Sequence, residues 1–188
     1  GIELNNVSFR YNESMPMVID DLSLKIRPGQ YVAIVGSTGC GKSTLMRLLL
    51  GFEKPQKGAV YYDGKDLNTI DLKSLRRKIG VVMQNVAVFD ELSVQENVEY
   101  FCSLYVPDKK RCKQLAEEAL EFTGLQDYRK MRPKKLSGGL LRRLNIACGI
   151  AHKPQLIFMD EPTVAVDPQS RNNILEGIQR LSSEGATV

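Results

Sequence analysis

The sequence feature that most constrains this chain is a glycine-rich octapeptide at residues 36–43. It reads Gly-Ser-Thr-Gly-Cys-Gly-Lys-Ser and matches the pattern G-x-x-x-x-G-K-[ST]. A continuously apolar, β-branched run at residues 31–35 precedes it and predicts a strand covered on both faces. A leucine-rich run at residues 42–50 follows and predicts a helix that Gly51 ends. Strand, loop and helix in this order predict a phosphate-binding loop rather than an ordinary glycine-rich turn with an exposed lysine.

The residue types of this phosphate loop (residues 36–43) fit that chemistry. Glycines let backbone N–H groups close around phosphate oxygens, and the helix N-terminus adds its positive end. Lys42 is expected to reach the β- and γ-phosphates, Ser43 to ligate Mg²⁺, and Thr44 to add a hydroxyl. The predicted nucleotide-binding residues here are Gly36, Ser37, Thr38, Gly39, Cys40, Gly41, Lys42, Ser43 and Thr44.

A pair of acids follows a second apolar run, residues 156–159, which predicts another buried strand. Asp160 suits the outer shell of Mg²⁺, and Glu161 suits a general base that orients water. Paired acids at a strand end are often solvated turn residues. The phosphate loop in the same chain favours the catalytic interpretation.

A second anion site is predicted at residues 136–140, Leu-Ser-Gly-Gly-Leu, here called the Ser-Gly-Gly loop. Ser137 stands where a helix begins, and the two glycines after it leave several N–H donors exposed. Taken alone, this pattern is more typical of an ordinary capped loop.

The rest of the chain predicts a mixed α/β protein. Apolar residues at strand spacing open the sequence, and Asp63-Gly64 predicts a hairpin. Residues 93–152 are expected to be helical, beginning with a capping box from Ser93 to Glu96. Asp167-Pro168 is expected to begin a last helix. The predicted apolar positions are Ile2, Leu4, Val7 and Phe9 in the first strand, Cys112, Leu115, Ala116, Ala119 and Leu120 in a helix ended by Gly124, and Ile174, Leu175, Ile178 and Leu181 in the last helix.

Charge and cysteine usage exclude several classes of protein. The net charge is +4, and residues 129–143 hold a run of basic residues without an acidic one. This run predicts either a solvated face or an attraction for phosphate. Nucleic acid is not favoured, because no aromatic residues interleave with the charges. The four cysteines are too widely spaced for a zinc site or a disulfide scaffold, which favours a reducing compartment. No apolar run approaches the roughly 18 residues of a membrane span.

The ordered set of motifs resembles the ATP-binding subunits of ABC transporters over essentially the whole chain. The set comprises the phosphate loop, Gln84, the Ser-Gly-Gly loop, residues 156–162 (Leu-Ile-Phe-Met-Asp-Glu-Pro) and residues 164–167 (Val-Ala-Val-Asp). The resemblance implies an α/β P-loop NTPase fold with a RecA-like core, an antiparallel β lobe and a helical lobe. The β lobe and P-loop core would occupy about residues 1–83, the helical lobe about 84–150, and the rest of the core about 151–188.

The same resemblance implies an activity, a cofactor and partner proteins for the chain. It implies a head-to-tail dimer of two ATP-binding domains that hydrolyses ATP with Mg²⁺ and drives transport through a transmembrane permease, with export favoured. The chain would then lie on the cytoplasmic side, bound peripherally to the inner face of the membrane through that permease.

Individual site residues also follow from the resemblance. Tyr11 matches the aromatic residue that stacks on adenine, although a hydrophobic sheet residue is the alternative. Gln84 matches the glutamine that contacts Mg²⁺ or the attacking water and senses the membrane partner. The residues Ser137, Gly138 and Gly139 would hold the γ-phosphate from the opposite subunit, and Asp167 would cross the dimer interface. The implied catalytic residues are Glu161, Lys42 and Gln84, and the implied metal ligands are Ser43, Gln84 and Asp160.

The chain departs from the family pattern at several points. Leu140 stands where the family usually has glutamine, and His152 lies before the acid pair, so it cannot be the histidine that the family has after its last helix. The expected fold is therefore C-terminally truncated, with an open sheet edge near residues 186–188. Up to about Met83 the chain resembles ATPase domains of bacteriocin or peptide exporters. From about Gln84 it resembles separate subunits of drug- or antibiotic-type exporters, which raises the hypothesis of a join there.

The sequence leaves one alternative function open and disfavours two others. One is a nucleotide-binding fragment or chimaera without efficient hydrolysis, because the family histidine is absent. Another is a soluble ABC-type ATPase of DNA repair, which needs a long coiled-coil insertion that the sequence lacks. The third is the translation type of ABC ATPase, which usually has two such domains where one is visible here.

Overall fold

The computed structural model describes residues Gly1–Val188. Its strands are β1 (Ile2–Phe9), β2 (Ile19–Ile26), β3 (Lys57–Tyr62), β4 (Lys65–Asp66), β5 (Ile79–Val82) and β6 (Leu156–Met159). Its helices are α1 (Lys42–Leu49), α2 (Leu72–Arg76), α3 (Val94–Ser103), α4 (Lys109–Thr123), α5 (Gly138–Ile150) and α6 (Pro168–Ser183). The chain forms two compact units: the first holds residues 1–76 with Thr187, and the second holds residues 77–186 with Val188.

The first unit contains an antiparallel sheet with the strand order β2-β1-β3-β4. The predicted apolar positions of β1 are all buried, but they change phase in the middle of the strand. Asn6 has φ 47°, and the β1–β2 register shifts between Leu4 and Val7. This irregularity inserts one residue, so that Leu4 and Val7 face the same core although they are three positions apart.

The predicted hairpin at Asp63-Gly64 is confirmed. It joins β3 to β4, with Tyr62 opposite Lys65. Asp63 and Gly64 both have left-handed backbones, with φ 48° and 77°. Two left-handed residues give the turn a twist that matches the right-handed twist of the strands.

Helix α1 confirms the helix predicted after the phosphate loop. Its buried residues include Leu45, Leu48 and Leu49. Gly51, with φ 70°, ends it by donating its N–H to the carbonyl of Leu48.

The strand predicted at residues 31–35 is wrong. These residues belong to neither sheet, and Tyr31, Ile34 and Val35 are exposed, Val35 to 88%. A strand exists only where a neighbouring strand supplies ladder hydrogen bonds. Apolar, β-branched composition indicates a segment suited to burial in a sheet, but it does not supply that neighbour.

Three helices of the second unit build its main core. Helices α3, α4 and α5 enclose Val94, Val98, Leu125 and Leu144, together with the predicted stripe of α4. The capping box of α3 is confirmed, because Ser93 Oγ accepts from Glu96 N and the Glu96 carboxylate accepts from Ser93 N. Gly124 ends α4 in a left-handed conformation. Residues 93–152 are therefore largely helical, as predicted.

The second unit also contains a two-stranded parallel sheet, β5 with β6. Helix α5 lies close against it at two glycines. A Cβ on Gly80 would lie 2.5 Å from the carbonyl oxygen of Gly149, and a Cβ on Gly149 would lie 2.8 Å from Val82 Cγ2. The sheet fixes the direction of the chain at residues 83–84 and 160–161, where both strands end.

Helix α6 begins at Pro168 after the Asp167 cap, as predicted. It buries Ile174 and Ile178 in a core shared with β5, β6 and α5. Leu175 was expected to share that face, but it is 38% exposed. No helix of the structure has the length and apolar character that a membrane crossing requires.

Candidate nucleotide site

The phosphate loop is organised around the ammonium group of Lys42. Lys42 Nζ donates to the carbonyl oxygens of Gly36 at 2.8 Å and Ser37 at 2.9 Å, and it lies 3.7 Å from Cys40 Sγ. The lysine therefore lies across the mouth of its own loop. A phosphate oxygen entering the loop can exchange these neutral carbonyl acceptors for a charged one, which is the stronger hydrogen bond.

Glycines give the loop its tight path. Gly39 and Gly41 have φ 82° and 102°, a region that side-chain-bearing residues rarely adopt. A Cβ on Gly41 would lie 3.0 Å from the carbonyl oxygen of Val18, and one on Gly36 would collide with Cys40 Sγ. The loop ends directly at the N-terminus of α1, where no side chain caps the free N–H groups. Those donors are free to accept an anion as a partner.

Tyr11 and Thr44 are brought together by the first unit. The Tyr11 hydroxyl lies 3.0 Å from Thr44 Oγ1, and the Tyr11 ring packs edge-on against Phe9. Thr44 is buried, whereas Tyr11 is 51% exposed. The tyrosine ring thus stands half in solvent beside the first turn of α1, where a flat ligand can stack on it.

The parallel pair β5–β6 brings Gln84, Asp160 and Glu161 to one sheet edge. Val82 is in register with Met159, and Asp160 N donates to the carbonyl oxygen of Val82 at 2.8 Å. The carboxyl ends of parallel strands meet at the same edge, so the residues that follow them are neighbours. Glu161 has φ 47°, a left-handed conformation that is unusual for a glutamate and typical of residues constrained by function.

The Ser-Gly-Gly loop and Asp167 also form one local arrangement. Ser137 caps α5 by accepting from Leu140 N at 3.3 Å, and Asp167 caps α6 by accepting from Ser170 N at 3.0 Å. Gly139 is buried where the two helix starts meet. A Cβ there would lie 2.8 Å from Ser170 Cβ and 3.3 Å from Asp167 Oδ1, and it would collide with Ser170 Oγ.

Asp167 is held in its charged form. The hydrogen bonds from the backbone and then the side chain of Ser170 lower the pKa of Asp167 below its ordinary value of 3.8. An ionised carboxylate at the start of α6 also complements the positive end of that helix. Asp167 therefore carries a full negative charge at neutral pH.

Two residues that sequence reasoning missed hold the segment around Gln84. Arg142 Nη1 donates to the carbonyl oxygens of Met83 at 3.3 Å and Gln84 at 2.6 Å. Asn145 Nδ2 donates to the carbonyl oxygen of Met83 at 2.9 Å. Arg142 belongs to the basic run for which the sequence predicts a solvated face or an attraction for phosphate, yet it is only 8% exposed. The contact of Arg142 could have been anticipated from the burial of its helix, because a long basic side chain on a buried helix face needs hydrogen-bond acceptors.

Other members of the basic run at residues 129–143 have protein partners. Arg129 forms an ion pair with Glu117, and Lys134 lies 3.5 Å from Asp90. The run is therefore less available to phosphate than its sequence suggests.

The predicted metal ligands are hard oxygen donors: the Ser43 hydroxyl, the Gln84 amide oxygen and the Asp160 carboxylate. This donor set fits Mg²⁺, which prefers oxygen and keeps several waters beside one or two protein carboxylates. No cluster of three or more histidine, cysteine, aspartate or glutamate residues offers a metal cage. The residues present thus suit a cation that a phosphate shares, rather than one held by protein alone.

Comparison with known proteins identifies relatives of the chain. A family model described as ABC transporter matches residues 19–164. The linearmycin resistance ATP-binding protein LnrL of Bacillus subtilis is 33% identical over 100% of this chain and 59% of its own length. The methionine import ATP-binding protein MetN of Corynebacterium efficiens is 36% identical over 92% of this chain and 49% of its own length. The chain thus spans about half the length of the curated relatives it matches.

Solved structures give the same result for the fold. The ATP-binding cassette MJ0796, in a dimeric post-hydrolysis state bound to ADP and Pi, has a TM-score of 0.86 and 31% identity, covering 100% of this chain and 86% of that chain. The structure of cbiO1 from Clostridium perfringens, which is part of the ABC transporter complex cbiONQ, has a TM-score of 0.89 and 26% identity. The match covers 99% of this chain and 75% of that chain. These matches confirm the predicted α/β P-loop NTPase fold.

Proposed function

This chain belongs to the family of ABC transporter ATP-binding domains, and on that premise we propose that it binds ATP with Mg²⁺ and hydrolyses it in a head-to-tail dimer to drive transport across a membrane. The observation that carries the proposal is the phosphate loop. It combines glycines in left-handed conformations, an uncapped helix N-terminus and the Lys42 ammonium at its mouth. Each of these favours an anion, and together they suit the several negative charges of a polyphosphate.

Nucleotide contacts are assigned to the first unit. Backbone N–H groups of residues 36–44 would surround the β-phosphate, and Lys42 would move from its loop carbonyls to the β- and γ-phosphates. Tyr11, anchored by its hydroxyl to Thr44, offers its exposed ring to adenine. Ser43, Gln84 and Asp160 would hold Mg²⁺, which, when bound, neutralises charge on the phosphates.

Hydrolysis is assigned to the sheet edge of the second unit. Glu161 would accept a proton from the attacking water, and Gln84 would orient that water. The water oxygen forms a bond to the γ-phosphorus while the bond to the β–γ bridging oxygen breaks, giving ADP and phosphate. Lys42 stabilises the negative charge that develops on the phosphoryl oxygens.

The partners follow from the Ser-Gly-Gly loop and Asp167. The N-termini of α5 and α6 meet at Gly139, so their donors and the Asp167 carboxylate form one surface. We assign this surface, with Ser137, Gly138 and Gly139, to the γ-phosphate of ATP on a second copy. The dimer would act on a transmembrane permease, which places the chain at the cytoplasmic face of the membrane.

Export is the proposed direction of transport. Its support is the linearmycin resistance relative, whose match spans this whole chain. A methionine import relative aligns over nearly as much of it, so import is the competing outcome. Transport in membrane vesicles of defined orientation, with the permease that co-purifies with the full protein, decides between the two.

ATP binding is tested with Lys42→Met. Equilibrium binding of a fluorescent ATP analogue should weaken at least about tenfold, because the main charge-assisted contact to the phosphates is lost. Lys54→Met is the matched control, since it removes an exposed lysine of the same unit. Equal affinities for both variants would contradict the assignment.

Catalysis is tested separately with Glu161→Gln. This variant keeps the size of the side chain but cannot accept a proton, so ATP binding should persist while phosphate release falls by about 10²-fold or more. Comparing binding with phosphate release in the parent chain also distinguishes an ATPase from a domain that only binds nucleotide. Undiminished phosphate release in the variant would remove Glu161 from the mechanism.

A further inference from the structure

Arg142 and Asn145 bind the backbone at the point where β5 ends. Their three hydrogen bonds all go to the carbonyl oxygens of Met83 and Gln84, at distances from 2.6 to 3.3 Å. Both side chains are only 8% exposed. Met83 and Gln84 themselves are exposed and lie outside any helix or strand. Buried donors on α5 therefore hold an exposed, irregular segment.

The strength of this contact comes from charge and burial together. A guanidinium donates a stronger hydrogen bond than a neutral amide, and both are stronger where water is excluded. Removing the arginine would leave the Gln84 carbonyl oxygen without its donor and the Met83 carbonyl oxygen with Asn145 alone. The arrangement is thus a specific attachment rather than a surface contact.

Helix α5 also carries the Ser-Gly-Gly loop at its start. Arg142 follows Ser137 by five positions, which is about 7.5 Å along a helix at 1.5 Å per residue. Further along, Gly149 lies against Val82 of β5, with a Cβ at that glycine placed 2.8 Å from Val82 Cγ2. The same helix is therefore fixed to β5 at one point and to the residues just after β5 at another.

We propose that Arg142 and Asn145 are positioning residues that fix the Gln84 backbone to α5, so that Gln84 and Ser137 keep one relative position. This inference rests on the proposed function, because it joins two residues that would contact different ATP molecules in the dimer. Gln84 would contact the ATP of its own subunit, and Ser137 that of the other. We call the pair of side chains Arg142 and Asn145, with their hydrogen bonds to Met83 and Gln84, the clamp.

The experiment compares Arg142→Met with Arg143→Met in the full chain. Both changes remove one positive charge from neighbouring positions of α5, but of the two only Arg142 hydrogen-bonds to Met83 and Gln84. The NMR order parameters of the backbone amides of residues 83–86 should fall in Arg142→Met from about 0.85, typical of a rigid backbone, to about 0.6 or less. In Arg143→Met they should stay at the parent values.

Kinetics provide the second readout. In Arg142→Met, the less firmly held Gln84 should lower kcat about tenfold while KM for ATP stays within about twofold. The reason is that misplacement of a group near the reacting atoms affects the reaction more than it affects substrate binding. Arg142→Lys keeps a cationic donor and should recover part of the loss. Should Arg142→Met fail to fold, Asn145→Ala removes one hydrogen bond of the clamp and should lower the order parameters of residues 83–86 by a smaller amount.

The outcomes separate this inference from the proposed function. Equal order parameters for residues 83–86 in both methionine variants overturn the clamp, whatever the ATPase activity. Equal loss of activity in both shows that the charge of the basic run matters rather than the attachment of Gln84. A parent chain that neither binds nor hydrolyses ATP refutes the proposed function, while the comparison of order parameters still decides whether the clamp exists.

Discussion

Replacing Gly139 by alanine tests the contact between the starts of α5 and α6. The new Cβ would lie 2.8 Å from Ser170 Cβ and 3.3 Å from Asp167 Oδ1, and it would collide with Ser170 Oγ. Overpacking of this kind costs about 1–3 kcal/mol of unfolding free energy. Gly138 is the matched control, because a Cβ there would meet nothing closer than the Ala165 carbonyl oxygen at 4.0 Å.

The expected magnitude follows from the difference between the two variants. Each replacement gains up to about 1 kcal/mol of helix propensity, so this term largely cancels between neighbouring positions. Gly139→Ala should therefore be less stable than Gly138→Ala by about 1–3 kcal/mol, or about 2–12 °C in Tm for a chain of this length. Urea unfolding followed by circular dichroism measures the free energies.

A rescue experiment identifies the cause. Ser170→Gly removes the Oγ and Cβ atoms that the new methyl group meets. In the Gly139→Ala background it should recover stability, giving a coupling energy of about 1 kcal/mol or more in a double-mutant cycle. Equal stability of the two alanine variants, or no recovery in the double variant, would refute the packing argument.

Three further predictions concern stability and thiol reactivity. Burial lowers the pKa of His152 below its ordinary value of 6.5, so His152 takes up a proton more readily in the unfolded chain than in the folded one as the pH falls. The free energy of unfolding should therefore decline from pH 7 to pH 5.5. The variant His152→Phe, which keeps an aromatic ring but does not titrate, should lose this pH dependence. Asn97 is fully buried and hydrogen-bonds the backbone N–H and carbonyl of Phe89, so Asn97→Ala should cost about 2 kcal/mol or more in urea unfolding, unlike a surface Asn12→Ala. Cys40 is exposed, whereas burial raises the pKa of Cys102 to about 12. A thiol reagent should therefore label Cys40 in the native chain and Cys102 only after unfolding. Equal labelling rates of the two cysteines in the native chain would contradict this prediction.

The sequence predicts best where a short pattern determines its own geometry. The capping box at Ser93, the left-handed turn at Asp63-Gly64 and the helix after Gly41 each depend on a few adjacent residues. Local hydrogen bonding and allowed backbone angles suffice for these elements, so the predictions agree with the structure.

Predictions that depend on distant neighbours were less reliable. The strand expected at residues 31–35 needs a partner strand that its own composition cannot specify. Strand β5 was missed because Gly80 interrupts its four residues and glycine weakens a strand pattern, whereas the equally short β6 is apolar throughout. The contact of Arg142 with residues 83–84 joins positions that are about 60 residues apart in the sequence, and no local pattern predicts it.

The site shows the same division. The motif residues were named from the sequence because glycine, lysine and acid at fixed spacing carry the chemistry themselves. Their surroundings were not: the Tyr11–Thr44 contact, the close approach at Gly139 and the left-handed backbone of Glu161 all need three-dimensional information.

The parallel pairing of β5 with β6 has a consequence for the order of folding. Ile79 pairs with Leu156, 77 positions further along the chain. Closing a loop of this length costs about 4 kcal/mol of chain entropy before any hydrogen bond of the sheet forms. Helices α3, α4 and α5 lie inside that loop and contact one another at short sequence separation. They should therefore fold first and bring the two strands together. Pulse-labelled hydrogen exchange should show protection in α4 before β5, and the reverse order would mean that the sheet nucleates folding.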